Sequence, residues 1–161
     1  MLTKQEVYAL LEREGVACEI AEHRPVYTVE EAARLDLPHP EAGAKNLFLR
    51  DDKKRNYYLL VLRDDRPADL RAFQARAGTR RLSFASEEDL ARLLGLRRGS
   101  VTPLGALNDG ERRVRVYIDG RFAGGRIWVH PCDNTASVCM DTVDLVRLLE
   151  THGTAVTMID L

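Results

Sequence analysis

Three short segments carry side chains whose types and spacing could do chemistry. The first is Gly43-Ala44-Lys45-Asn46, at the head of the apolar run Leu47-Phe48-Leu49. The other lysines, Lys4, Lys53 and Lys54, lie in polar or charged surroundings. A lysine whose stem enters a core strand holds its ammonium at a cleft or loses its charge through a depressed pKa, and both outcomes suit a reactive site. A strand-end lysine that snorkels to solvent gives the same pattern. The second segment is Gly99-Ser100-Val101-Thr102-Pro103-Leu104-Gly105, directly after a capped helix. Its glycines permit close backbone approach, so its N–H groups could be aimed at a carbonyl oxygen or a phosphate. An ordinary helix-to-strand connection is the plainer reading. The third, His130-Pro131-Cys132-Asp133-Asn134-Thr135-Ala136, gathers turn formers and polar groups between strands, as binding loops often do. His130 alone reads as a structural hydrogen-bonder.

The elements that must position these segments are legible in outline. Thr3-Lys4-Gln5-Glu6 is a capping box, and Val7, Leu10 and Leu11 continue at helical spacing until Gly15. A short strand is expected over residues 16–21. A second capping box, Thr28-Val29-Glu30-Glu31, opens a short helix that Leu37-Pro38-His39-Pro40 breaks. Residues 46–50 and 57–63 read as a hairpin around a charged turn. Helices are expected over 69–77, up to Gly78, and from Ser86 to Gly95, with a brief strand over 81–84 between them. The last third alternates as strands over 114–119, 127–130 and 135–140, followed by a helix to about Glu150 and a closing strand over 155–159. Asp119-Gly120 is a hairpin-type turn signal. The uneven interleaving excludes a regular βαβ array and predicts an α+β fold: one mixed α/β domain spanning 1–161, with helices around one main mixed sheet.

Composition narrows the function classes. The chain has 161 residues, enough for one domain with a sizeable core. A net charge of −1 argues against a wide sequence-independent grip on nucleic acid, though not against holding one end of an RNA. Cys18, Cys132 and Cys139 have no paired spacing, so no disulfide framework is expected. With no apolar run of spanning length and no signal peptide, the expected location is cytoplasmic, without a membrane partner. Walker, nucleophile-elbow and dinucleotide motifs are absent, and the histidines lack metal-ligand spacing, so no metal or cofactor is expected.

Taken together, the three segments resemble the prolyl-tRNA editing family, the YbaK-like aminoacyl-tRNA deacylases, and most closely its freestanding alanyl-tRNA(Pro) branch. The resemblance rests on Lys45-Asn46-Leu47-Phe48-Leu49-Arg50-Asp51, Tyr57-Tyr58-Leu59-Leu60-Val61-Leu62, Leu82-Ser83-Phe84-Ala85, the G-x-x-x-P loop Gly99 to Pro103, and His130-Pro131-x-Asp133-Asn134-Thr135-Ala136. These occur in the family's order over almost the whole chain.

That resemblance implies a trans-editing hydrolase that cleaves mischarged alanyl-tRNA(Pro) without a metal or an enzyme nucleophile and spares prolyl-tRNA(Pro) by pocket size. Lys45, Gly99 and Ser100 are expected at the reacting ester. Asn46, Val101, Thr102, Pro103, Gly105, His130 and Asn134 are expected to bind substrate, with Ile20, Tyr27 and Val29 in the pocket wall. Partners implied are the acceptor end of tRNA(Pro) carrying a small amino acid and, further, prolyl-tRNA synthetase. Competing readings are a cysteinyl-tRNA(Pro) or other small-residue deacylase, a catalytically silent module binding aminoacyl-tRNA or the synthetase, and a small-molecule esterase.

Overall fold

A computed structural model describes all of residues 1–161. In chain order the elements are α1 (Lys4–Arg13), β1 (Cys18–Glu22), α2 (Val29–Ala33), β2 (Ala44–Asp51), β3 (Tyr57–Arg63), α3 (Leu70–Ala77), β4 (Leu82–Phe84), α4 (Glu87–Asp89), β5 (Val114–Asp119), β6 (Arg126–Val129), β7 (Ala136–Asp141), α5 (Thr142–His152) and β8 (Val156–Ile159). α4 runs on into a π-helical turn, Leu90–Leu94, which stops at Gly95 in the left-handed region. Both residues of the first capping box are engaged, Thr3 with the Glu6 amide and Glu6 with the Thr3 amide. At α2 only half of the expected box forms. Thr28 accepts from the Glu31 amide, while the Glu31 carboxylate reaches the Tyr27 amide instead.

The main sheet has five strands in the order β4-β2-β3-β5-β8. β2 and β3 form the expected antiparallel hairpin, and β5 lies parallel to both β3 and β8. A second, antiparallel sheet of β1, β7 and β6 was not anticipated as separate. The chain's exit from the main sheet is set locally. Asp119-Gly120 leads into a 3-10 turn over Gly120–Phe122, and the chain then leaves the main sheet rather than folding back as a hairpin. Asp119 accepts from the Arg121 amide and fixes that exit.

Because strand side chains alternate, the main sheet has two apolar faces. Phe48, Leu59, Val61, Val116 and Ile118 pack with α1, α5 and the inner side of the small sheet. Leu49, Leu60 and Leu62 pack on the other face against Phe73 of α3. Asp51 closes the β2–β3 turn, accepting from the Arg55 amide and from both the amide and side chain of Asn56. No helix is long and apolar enough to cross a membrane.

Candidate functional site

Where the small sheet meets the head of β2, the two sheets diverge and leave a cavity of about 600 Å³. Asn46 and Ala44 form one wall, Trp128, His130 and Ser137 another, and Arg63 to Asp65 a third. Residues from Ala32 to Glu41 close the remaining side. That segment is fastened by the Trp128 indole N–H, which donates to the Pro38 carbonyl at 2.8 Å, and by His39 beside Glu19 at 3.1 Å. Gly43 fits at the wall because a Cβ there would collide with the Asp64 carboxylate. The volume suits a small organic group.

Several polar groups of the cavity wall lack a protein partner. Asn46 Oδ1 and Arg63 Nε are buried without a protein partner, and each orphan of this kind costs about 1–3 kcal/mol unless something meets it. His130 Nδ1 lies 3.0 Å from the Ala136 carbonyl, which can only accept. The proton is therefore on Nδ1, and Nε2 keeps its lone pair. Burial also lowers the His130 pKa and favours this neutral form. A second imidazole, His23, lies edge-on at 6.4 Å; it donates through Nδ1 to the Arg24 carbonyl and accepts from Ser137 at 2.9 Å. Asp36, Glu41, Asp64 and Asp65 make the walls predominantly acidic. Burial raises the Asp64 pKa, with Asp65 adding to the effect.

Lys45 does not enter this cavity. In β2 it pairs with Leu62, on the α3 face, whereas Asn46 pairs with Val61 on the opposite face. Its ammonium donates to the Arg66 carbonyl instead. Arg66 is itself tied to Asp119 at 3.3 Å and to the Leu161 carbonyl. Strand alternation is the reason that Lys45 and Asn46, expected at one site, face opposite ways.

The Gly99 loop also divides differently from expectation. Gly99 has φ +90, and a Cβ there would sit 3.1 Å from the Val26 carbonyl and 3.0 Å from the Tyr27 ring. Ser100 spends its hydroxyl on its own turn, donating to the Arg97 carbonyl and accepting from the Arg97 amide. Thr102 caps the following 3-10 helix through the Leu104 amide, Pro103 is its buried first residue, and Gly105 packs against Leu96. Val101 packs on the main core. None of Val101, Thr102, Pro103 and Gly105 lines the cavity; they hold the loop's shape.

A shallower basin of about 310 Å³ does collect Tyr27, Ser100 and Asn134 beside Arg97 and Arg98. Asn134 clamps the opposite strand of chain: its side chain donates to the Val26 carbonyl, and its own carbonyl accepts from the Val26 amide. Ile20 and Val29 are half-exposed and line neither recess. Sequence reasoning missed Trp128, Ser137 and the Arg63–Asp65 wall, since nothing local marks residues that meet only through sheet packing. Burial pushes the Cys132 thiol up to about 12, so it stays protonated and is no nucleophile.

A family model for the aminoacyl-tRNA editing domain matches residues 23–148. The chain is 40% identical over 162 residues to the prolyl-tRNA editing protein ProX of Acetoanaerobium sticklandii, covering 100% of this chain and 99% of that protein. It is 36% identical to prolyl-tRNA synthetase associated domain-containing protein 1 of Danio rerio, covering 91% and 81%. Among solved structures, a candidate trans-editing enzyme for prolyl tRNA synthetase superposes with a TM-score of 0.72 at 22% identity, covering 100% of this chain and 99% of that one. At that identity the superposition speaks for the fold.

Proposed function

The chain belongs to the aminoacyl-tRNA editing domain family, and from that premise we propose that it is a trans-editing hydrolase that deacylates mischarged alanyl-tRNA(Pro). The observation that carries the proposal is the end-to-end match at 40% identity to a prolyl-tRNA editing protein. The cavity supports it. A volume of about 600 Å³ takes an aminoacyl group together with its ribose, and the acidic walls favour the α-ammonium of an aminoacyl ester. Selection against proline is steric, a second sieve that admits only the smaller product.

Hydrolysis requires water at the ester carbonyl and donors for the oxyanion that develops. His130 Nε2 offers an unpaired acceptor for the ammonium, the water or a ribose hydroxyl, and the unpartnered Asn46 Oδ1 is buried in the cavity wall. The Gly99 backbone, free of a side chain, lets its loop pack closely against Val26 and Tyr27. Lys45 lies between two cavity residues, Ala44 and Asn46, with its ammonium on the loop that follows Asp65. We assign it two linked tasks: holding that loop, and setting a positive charge beside Asp64 at the cavity rim, where negative charge develops at the ester. Ser100 acts as a positioning residue for the Gly99 turn.

The test is a panel of purified alanyl-, cysteinyl-, seryl- and prolyl-tRNA(Pro). Alanyl-tRNA is expected to be hydrolysed fastest. Preference for cysteinyl-tRNA would move the assignment to that sister activity, and inertness towards every mischarged species would refute it. The tRNA(Pro) acceptor end is thus the proposed partner, with prolyl-tRNA synthetase as the source of the mischarged substrate.

A further inference from the structure

The main cavity cannot welcome a phosphate, because Asp36, Glu41, Asp64 and Asp65 face it against only Arg63 and His39. An RNA end that delivers an ester there must keep its phosphates elsewhere. The two segments that wall the cavity also run into the neighbouring basin. One carries Ala32 and Tyr27, the other His130 and Asn134.

The basin's cations are free. Arg97 and Arg98 are exposed, and neither guanidinium has an acidic or hydrogen-bond partner; other surface arginines such as Arg24, Arg71 and Arg115 are equally free, but these two share a recess with an exposed aromatic ring. Tyr27 is 60% exposed, although its backbone is gripped on both sides by the Asn134 clamp on Val26 and the Gly99 contact. A ring anchored at its base and bare on its face is a platform awaiting a planar partner. Asp133 is the basin's carboxylate, and its Oδ1 is occupied by the Thr135 amide and hydroxyl. Those bonds hold Asp133 ionised, so an incoming phosphate is directed to the arginine side.

We propose that the Tyr27–Arg97–Arg98 basin seats the terminal single-stranded nucleotides of an RNA, with the base stacked on Tyr27 and its phosphate held by the two arginines. This rests on the editing reading only for the identity of the RNA. It explains how a chain of net charge −1 can hold an RNA end without a broad basic surface.

Fluorescence anisotropy with an uncharged acceptor-stem hairpin ending in single-stranded CCA tests it without any hydrolysis. R97A/R98A is expected to weaken binding at least tenfold and to lower the salt dependence by about one phosphate contact. Tyr27→Ala should weaken it by about fivefold or more, with Tyr27→Phe close to wild type. K53A/K54A, at the distant β2–β3 turn, serves as the control and should bind normally. Circular dichroism should show every variant folded, since the side chains removed are exposed and neither arginine makes a hydrogen bond or ion pair. The proposal is overturned if the wild type does not bind the hairpin, if R97A/R98A binds as well as wild type, or if the turn variant loses as much. A protein that binds as expected but deacylates nothing refutes the editing reading and leaves the basin standing.

Discussion

Lys45 and Asn46 are consecutive in β2 yet act on opposite faces of the main sheet, Asn46 on the cavity and Lys45 on the Arg66 carbonyl. The functional and structural roles of the lysine can therefore be separated. Lys45→Ala should reduce alanyl-tRNA(Pro) turnover by about 100-fold or more, the scale of losing one oxyanion donor. Its melting temperature should fall only slightly, because one partly exposed hydrogen bond is worth about 1 kcal/mol. Unchanged turnover would remove Lys45 from the chemistry and leave it as a brace for the loop.

Gly99 is tested by the smallest possible addition. Gly99→Ala places a methyl group against the Val26 carbonyl and Tyr27 at φ +90. The strain should cost about 1–3 kcal/mol in urea unfolding, and deacylation should fall with it. A variant of wild-type stability and activity would show that the close approach does not matter.

His130 should leave a signature in stability. Burial holds its pKa below the ordinary value of about 6.5. As pH falls through that value the unfolded chain takes up a proton that the folded chain refuses, so stability declines until the folded pKa is passed. His130→Gln removes this component. Urea midpoints from pH 8 to pH 5 should show the variant gaining on wild type as pH falls, whereas a constant difference would contradict the neutral assignment.

Asp51 has the opposite sign. It is 1% exposed, and burial alone would raise its pKa, but the Asn56 side chain and the Arg55 and Asn56 amides outweigh that and hold it below the usual aspartate value. Its contribution is present above about pH 3.9 and is lost as pH falls through the lower folded value. Asp51→Asn should cost about 1–3 kcal/mol at pH 7, with the gap to wild type closing in acid. An equal gap at both pH values would show that charge is not the cause.

Much of this architecture was legible in the chain itself. The Thr3 box, the hairpin around Asp51 and the stop at Gly78 all depend on residues a few positions apart, so local chemistry announces them. The separate small sheet was not legible, because β1 finds β7 across more than 110 residues through packing alone. The same limit applied to the site. Family order pointed to Lys45, Asn46, the glycine loop and His130, but order along a chain does not say which face a strand residue takes. Ser100 and Thr102 are expected at the site through the resemblance of their loop, and here both hydroxyls are spent on backbone turns.

The most direct test of the account compares first-order hydrolysis of alanyl-tRNA(Pro) and prolyl-tRNA(Pro), the same RNA charged with two amino acids, by catalytic amounts of the protein. The account predicts that the alanyl ester is consumed while the prolyl ester persists at its uncatalysed rate. Equal rates for the two, or no acceleration of alanyl-tRNA hydrolysis, would contradict it.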